Sequence, residues 1–492
     1  MVGSNMKVNV FDNSLFHIVS GAEGPLPPVR FSRFSHQFQR DGVAGLYHSL
    51  THQVLFLPAD DYRELEKKVE ENDNLSDIAR TIEDLARLGF LVSQNYDEDR
   101  ILEEVRSHFL GKPAFGILYL LLTDSCNLRC KYCFVEGAMP NGHVFSTMSI
   151  DTAIRGIGLF AECLRRNPPE TDVEDPTIIC YGGEPLLNRK VFLAALREVS
   201  RLKALGQLPA ATSVSLITNA TVVDDDLLEA ISGNSVSVGV SIDGPQEIHD
   251  ANRVFTNNRG TSEEVVKNFR RLQEAGINPS VSCTINPWNV DTLPEVFQWM
   301  VSELKITGLG FNMLVDLPGF AQSNEGYAKK ATDGIIACYQ IARENGIYEE
   351  RIMRKVKAFI TKSLYLTDCG GYGNQIVVTP NGRIGPCHGF MSSDRYWPGH
   401  VDNQGFDPFD DAVFAEWSRR SPLNISKCQS CYAIGICGGG CAYNADLKAG
   451  DIWEIDSNFC VHTKTILEWL VWDLYEKTIV RSGENVGSPE SN

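Results

Sequence analysis

Phe115-Gly-Ile-Leu-Tyr-Leu-Leu-Leu-Thr123 reads as a buried strand, and a cysteine loop, Cys126-Asn-Leu-Arg-Cys130-Lys-Tyr-Cys133, follows it almost at once. Outward from this point short β-rich runs alternate with longer helical ones. The strands are expected at 115–123, 177–182, 213–219, 235–243, 280–286 and 306–314, and helices near 148–165, 190–204, 224–232, 261–274, 291–303 and 327–345. Six βα units in series predict an α/β fold with a parallel sheet, as a partial (β/α)6 barrel. Loops at the carboxyl ends of parallel strands hold active sites, which is where this cysteine loop falls. Its spacing lets a tight turn wrap three thiolates around one face of a [4Fe–4S] cluster, leaving one iron free for a small molecule. A structural zinc site is the alternative, but zinc prefers four ligands and paired CxxC spacing.

The chain has 492 residues, enough for two to four domains. Its 45 basic and 63 acidic side chains leave a net charge of −18, which disfavours a nucleic-acid partner. The longest apolar run, near 115–122, is far short of the roughly 20 residues that span a bilayer. No signal segment opens the chain, so we expect a cytoplasmic enzyme with no membrane partner. Of the 14 cysteines, three lie at 126–133 and seven between 369 and 460; only Cys163, Cys180, Cys283 and Cys338 stand alone. Clusters of this kind in a large chain bind metal or catalyse more often than they form disulfides.

We divide the chain into a tail (1–27), a small module (28–110), the partial barrel (111–345), a Cys- and Gly-rich domain (346–478) and a polar tail (479–492) expected to be disordered. In the module, 28–39 and 45–58 read as two strands, DDYRELEKKVEEN as a helix, and NLSDIARTIEDLARLGFLV as a capped helix running into a strand or wing. That order predicts a winged-helix-like fold. Residues 369–460 have few long apolar runs and are expected to be organised around bound metal rather than a large core.

CNLRCKYC resembles the CxxxCxΦC signature of radical S-adenosylmethionine (SAM) enzymes, with Tyr132 at the aromatic position. Tyr181-Gly182-Gly183-Glu184-Pro185 resembles the family's GGEP motif, whose glycines let backbone approach the methionine moiety. Asn219 matches the position that contacts the ribose. Ser241-Ile242-Asp243-Gly244-Pro245, followed by Ile248-His249-Asp250-Ala251-Asn252-Arg253, resembles a further family stretch, making Ser241 and Arg253 candidates for the ribose or carboxylate. The resemblance implies that the free iron chelates SAM, that the reduced cluster cleaves it, and that a 5′-deoxyadenosyl radical abstracts hydrogen from substrate. An electron donor such as flavodoxin or ferredoxin would supply the electron.

Cys369, Cys387, Cys428, Cys431, Cys437, Cys441 and Cys460 resemble the seven-cysteine SPASM pattern. The resemblance implies two auxiliary [4Fe–4S] clusters and so three in all. Cys369, Cys387 and Cys441 would hold the first, and Cys428, Cys431, Cys437 and Cys460 the second. With three cysteines, the first has an open iron or a further ligand such as His388 or Asp368. A zinc ribbon on Cys428, Cys431, Cys437 and Cys441 is the alternative.

Within the family the reading is a maturase of a ribosomally synthesised peptide, its module at 28–110 binding the leader segment by strand addition. The product would be an intrapeptide crosslink: thioether, C–C or C–O. In sulfatase maturases, which make formylglycine, an Asp commonly follows the cysteine equivalent to Cys387. Here it is His388, which is a candidate general base, a cluster ligand or a core histidine. An epimerase is the redox-neutral rival, with Cys180, Cys283 and Cys338 as candidate hydrogen donors or, more simply, buried cysteines. A transfer-RNA-modifying enzyme is disfavoured by the charge, and a non-enzymatic iron–sulfur scaffold would not need the SAM motifs.

Overall fold

The computed structural model describes residues 27–480, apart from 74, 136–138, 140–142, 169–174 and 316–325. The expected tail at 1–27, but for its last residue, and the polar tail from 481 onward lie outside the described residues.

The N-terminal residues form more strands than expected: the runs 28–39 and 45–58 each lie across two strands, and the expected strand or wing after the second helix is Leu91–Ser93. β1 (Val29–Phe31) pairs antiparallel with β5 (Leu91–Ser93), while β2 (Ser35–Arg40), β3 (Val43–His48) and β4 (Val54–Pro58) form an antiparallel meander. The cause is local. The Ser35 amide donates to the Ser32 carbonyl at 2.9 Å and turns the chain between β1 and β2, and His52, at positive φ, turns it between β3 and β4. Helices Ala59–Glu71 and Ala79–Arg87 lie near the expected positions, and a third, Glu98–Phe109, which the sequence reading does not include, completes the module.

This module docks on the cysteine-rich segment. The Tyr47 hydroxyl meets His52 Nδ1 at 2.6 Å, and His52 Nε2 meets the Ser363 carbonyl at 3.1 Å. The Arg106 guanidinium donates to the Leu423 carbonyl at 2.6 and 2.9 Å. Phe38 lies edge-on to Tyr432 at 5.6 Å, and Phe56 lies 5.0 Å from Tyr475.

β6 (Ile117–Leu121), β7 (Thr177–Tyr181), β8 (Ser213–Thr218), β9 (Ser237–Ser241), β10 (Ser280–Thr284) and β11 (Gly308–Asn312) run parallel in chain order. Helices Ile150–Arg166, Arg189–Ala204, Asp225–Gly233, Ser262–Glu274, Leu293–Glu303 and Tyr327–Asn345 follow them in turn, giving the six βα units of the partial barrel. Ser149 and Asp224 cap two of these helices through their side-chain oxygens. The sequence reading passes over one short helix, Gln246–Asn252. It lies inside the Asp-Gly-Pro stretch, whose turn residues hide it.

The sheet does not stop at the barrel. β12 (Tyr348–Glu349) adds beside β11, and β13 (Gln375–Val378) runs parallel to β6 on the opposite edge. β14 (Arg383–Gly385) and β15 (Gly399–His400) then extend that edge antiparallel, making ten strands in one sheet. The cysteine-rich segment is also better packed than expected: Tyr372, Phe390, Trp417, Tyr443 and Ile452 form an apolar cluster of their own. Its short 3-10 and helical turns hide that packing from a search for long apolar runs. Among the described residues no helix is long and apolar enough to cross a membrane.

Candidate active site

The cysteine loop leaves β6 and is pinned on both flanks by backbone hydrogen bonds. On one side the Gly183 and Glu184 amides donate to the Thr123 and Ser125 carbonyls at 2.7 and 2.9 Å. On the other, the Arg129 and Lys131 amides donate to Val254 and Asn252 at 2.8 and 3.1 Å. The first flank explains the two glycines. A Cβ on Gly182 would lie 2.2 Å from the Thr123 oxygen, and one on Gly183 would lie 2.2 Å from the Ser125 oxygen. Gly182 also has φ +143. The motif must be glycine because it presses against the cysteine loop, whatever else its backbone contacts.

Cys126, Cys130 and Cys133 are half-buried, none in a disulfide. Each of Cys126 and Cys130 feels the charge of its neighbours in the loop, and burial pushes their thiols up, to about 12 and about 11. Metal binding deprotonates such thiols outright. Cys126 Sγ accepts from the Leu128 amide at 3.4 Å and Asn219 Nδ2 at 3.8 Å, and Cys130 Sγ accepts from Arg253 Nη1 at 3.9 Å. N–H donors to sulfur of this kind tune iron–sulfur clusters. Among the described residues no group of three or more His, Cys, Asp or Glu is placed to hold a single metal ion. Three thiols on one loop, two of them with N–H donors on their sulfurs, fit a [4Fe–4S] cluster.

The remaining motif residues converge on this loop, each with a job inside the protein. Glu184 is buried, and one of its oxygens accepts from the Leu186 amide and Thr218 Oγ1, the other from the Asn219 amide. Burial outweighs those donors and raises its carboxyl to about 7. Asn219 reaches Asn127 of the cysteine loop at 2.9 Å and accepts from the Thr221 amide and hydroxyl. Ser241 is half-buried at the carboxyl end of β9.

Tyr132 and Arg253 meet on Asp243, which is wholly buried and which the sequence reading quotes without assigning it a role. The Tyr132 hydroxyl donates to Asp243 Oδ2, Arg253 Nε lies 3.1 Å from the same oxygen as an ion pair, and the Thr284 amide donates to Oδ1 at 3.1 Å. The Arg253 guanidinium also lies 5.3 Å from the centre of the Tyr132 ring. Asp243 thus ties the aromatic position of the cysteine motif to the ends of β9 and β10. An aspartate beside a Gly-Pro turn reads as turn chemistry alone, which is why its role was missed.

The other seven clustered cysteines form two groups. Cys387 feels the charges of Cys369 and Cys441, while Cys428 feels those of Cys437, Cys431 and Cys460. Asp368 is engaged by other side chains: Lys355 Nζ and the Tyr365 hydroxyl hold its Oδ1 at 3.3 and 3.1 Å, and Arg351 lies 3.7 Å from Oδ2. Cys180, Cys283 and Cys338 are sealed in the core.

His388 follows Cys387 and projects into aromatic rings. Its ring centre lies 4.9 Å from that of Tyr119, 5.3 Å from Tyr181 and 5.8 Å from Phe134. Tyr119 lies on β6, Tyr181 ends β7 and Phe134 follows Cys133, so the histidine stands between the first cysteine loop and the triad. Its Nδ1 is buried with no hydrogen-bond partner, and burial lowers its pKa to about 4. The neutral imidazole offers one acceptor nitrogen.

Residues 120–300 match the model of the radical SAM superfamily. These residues carry a radical SAM domain, the chain is an enzyme, and the domain implies SAM and a [4Fe–4S] cluster as its cofactors. A cysteine-type anaerobic sulfatase-maturating enzyme of Clostridium perfringens is 23% identical over 367 residues, 73% of this chain and 96% of that one. The radical SAM cyclopropyl synthase TigE of Paramaledivibacter caminithermalis is 24% identical over 433 residues, 82% of this chain and 84% of that one. Among solved structures, Streptococcus suis SuiB bound to its precursor peptide SuiA has a similar fold, with TM-score 0.52 and 14% identity over 88% of this chain and 99% of SuiB.

Proposed function

We propose that this enzyme modifies a ribosomally synthesised precursor peptide, closing a thioether, C–C or C–O crosslink within it. The observation that carries the reading is the aromatic enclosure of Tyr119, Phe134, Tyr181 and His388 between the cysteine loop and the triad. A peptide side chain held there lies beside both cysteine groups, with the unpartnered His388 Nδ1 to accept its proton. Similarity to SuiB, whose structure holds a precursor peptide, supports the substrate class and extends over 88% of the chain.

SAM bound at the Cys126–Cys130–Cys133 cluster supplies a hydrogen-abstracting adenosyl radical. The chain's part is orientation: backbone at Gly182 and Gly183 with Glu184 behind it toward the methionine moiety, Asn219 toward the ribose, and Ser241, Arg253 and Tyr132 around the rest. The triad Cys369, Cys387 and Cys441 would hold one auxiliary [4Fe–4S] cluster, with an iron open to substrate since Asp368 is committed to Lys355. Cys428, Cys431, Cys437 and Cys460 would hold the other. The module at 28–110 would bind the leader along the free edge of β2 or β4, and flavodoxin or ferredoxin would reduce the first cluster in the cytoplasm.

The test is reaction of the reduced, reconstituted protein and SAM with a short peptide encoded beside this gene, followed by mass spectrometry. Loss of two hydrogens per event supports crosslinking. Unchanged mass with one deuterium gained in heavy water indicates epimerisation instead. An aldehyde at Cys or Ser indicates formylglycine formation, the reading favoured by the sulfatase-maturating relative. No 5′-deoxyadenosine at all would contradict every one of these readings.

A further inference from the structure

Arg420 is fully buried just past the helix Ala412–Ser418. Its Nη1 donates to the Tyr372 hydroxyl at 2.7 Å and the Gly439 carbonyl at 2.6 Å. Its Nη2 donates to the Glu454 carbonyl at 3.1 Å, and its Nε donates to the Ile452 carbonyl. Every one of these partners is neutral. A guanidinium stays charged in a protein, and a buried charge is costly unless an opposite charge faces it.

The carboxylates nearby are engaged elsewhere. Glu454 holds Lys427 at 2.7 Å, Glu416 accepts from Trp453 Nε1 at 3.0 Å, and Asp456 accepts from Asn444 and the Phe459 and Cys441 amides. Lys355, the other fully buried cation of this region, makes the contrast. It is paired with Asp368 at 3.3 Å, donates to the Cys437 carbonyl at 2.7 Å and so brings little net charge. Among the described residues Arg420 has no such carboxylate. What surrounds it is the backbone of both cysteine sets: Gly439, whose carbonyl it holds, stands two residues from Cys437 of the tetrad and two from Cys441 of the triad, and the amide of Tyr372, whose hydroxyl it also holds, donates to the Cys369 carbonyl at 3.1 Å.

We propose that Arg420 is the counter-cation shared by the two auxiliary iron–sulfur clusters and that its charge raises the reduction potential of both. This rests on the reading that the triad and the tetrad each hold a cluster. An iron–sulfur cluster with its thiolates is an anion, and reduction adds one electron and one more negative charge. A fixed cation held between two such anions stabilises the reduced form of each, and net charge is one of the factors that set cluster potentials. The residue acts through the clusters and touches no substrate, so it is a positioning residue.

The test uses the full-length reconstituted protein, Arg420→Gln and Arg420→Lys, with iron counts and EPR-monitored titration against dithionite. We expect about twelve irons in all three, four for each of three clusters. Arg420→Gln lowers the auxiliary midpoints by about tenfold in the reduction equilibrium, about 59 mV for one electron, and leaves the cluster at Cys126–Cys133 unmoved. Arg420→Lys keeps the charge and stays near the wild-type midpoints. Full iron with unchanged midpoints in Arg420→Gln overturns the proposal. Equal loss of auxiliary iron from both variants overturns it too, because Arg420 is then a backbone clamp whose charge is incidental. Wild-type protein holding only about four irons removes the underlying reading, and the iron count shows this before any variant is compared.

Discussion

A methyl group on Gly183 would lie 2.2 Å from the Ser125 carbonyl oxygen, which is backbone and has nowhere to go. Gly183→Ala is therefore expected to push the cysteine loop off the end of β7 and to cost about 1–3 kcal/mol in overpacking. The measurable result is lost iron at the first cluster, read from its visible absorbance, with the secondary structure unchanged by circular dichroism. Full iron loading would contradict it. Glu184 next to it makes a pH prediction. Its folded carboxyl titrates at about 7, above the ordinary 4.5, so its contribution to stability is complete below about 4.5 and is lost as the pH rises through about 7. Glu184→Gln should flatten the fall in Tm between about pH 5 and about pH 8, and an unaltered slope would assign the titration elsewhere. At this scale the sequence is generous with identities: the cysteine loop is legible from its spacing, and Gly182-Gly183-Glu184 from its resemblance to the family motif. Their jobs are less so. Asp243 holding Tyr132 and Arg253, and Glu184 holding β8 to β7, are long-range contacts that no local pattern encodes.

Among the elements, the three-stranded meander at 35–58 carries two buried histidines, His48 and His52, and a half-buried one, His36. Burial lowers His36 and His52 to about 4 and His48 to about 3. They are neutral when folded but take up protons when unfolded below their ordinary 6.5. Their contribution is thus present above about 6.5 and is lost as the pH falls toward 4. Acid should loosen the module first, and His52, bonded to Tyr47 and to the Ser363 carbonyl, should release its docking contact with it. Hydrogen exchange at about pH 5 against about pH 8, corrected for the intrinsic rate, should show β3 and β4 losing protection while β6–β10 keep theirs. Uniform loss would count against it. The barrel strands were readable because most alternate apolar with small or polar residues, as in Ser213–Thr218 and Ser280–Thr284, where buried positions alternate with less buried ones. The module was read with too few strands because the turns at Ser32–Ser35 and at His52 break runs that apolar patterning passes straight through.

For the whole molecule, the N-terminal module covers Leu423, Tyr432 and Tyr475 of the cysteine-rich segment. Tyr432 adjoins Cys431. Deleting residues 1–110 should uncover that apolar surface, lower Tm and reduce iron in the Cys428–Cys431–Cys437–Cys460 set before any question of leader binding arises. Iron analysis and calorimetry of the truncated chain check this, and an unchanged iron count would show that the module packs without supporting the cluster. The interface itself was not legible. It joins residues more than 300 positions apart through ring edges and carbonyls, which leave no periodic signature.

β6 carries the cysteine loop at one end and is hydrogen-bonded along its flank to β13. Consider a chain emerging from the ribosome. β6 is made early, but the strand that covers its edge begins only about 250 residues later, at Gln375. At roughly 5–20 residues per second, that edge waits about 12 to 50 seconds with its N–H and C=O groups unclaimed. An open edge on an apolar strand is a template for pairing with other chains. Newly made protein should therefore be most prone to aggregate while translation is passing through the barrel, and slowing synthesis upstream of Gln375 should lower the soluble yield more than slowing it downstream.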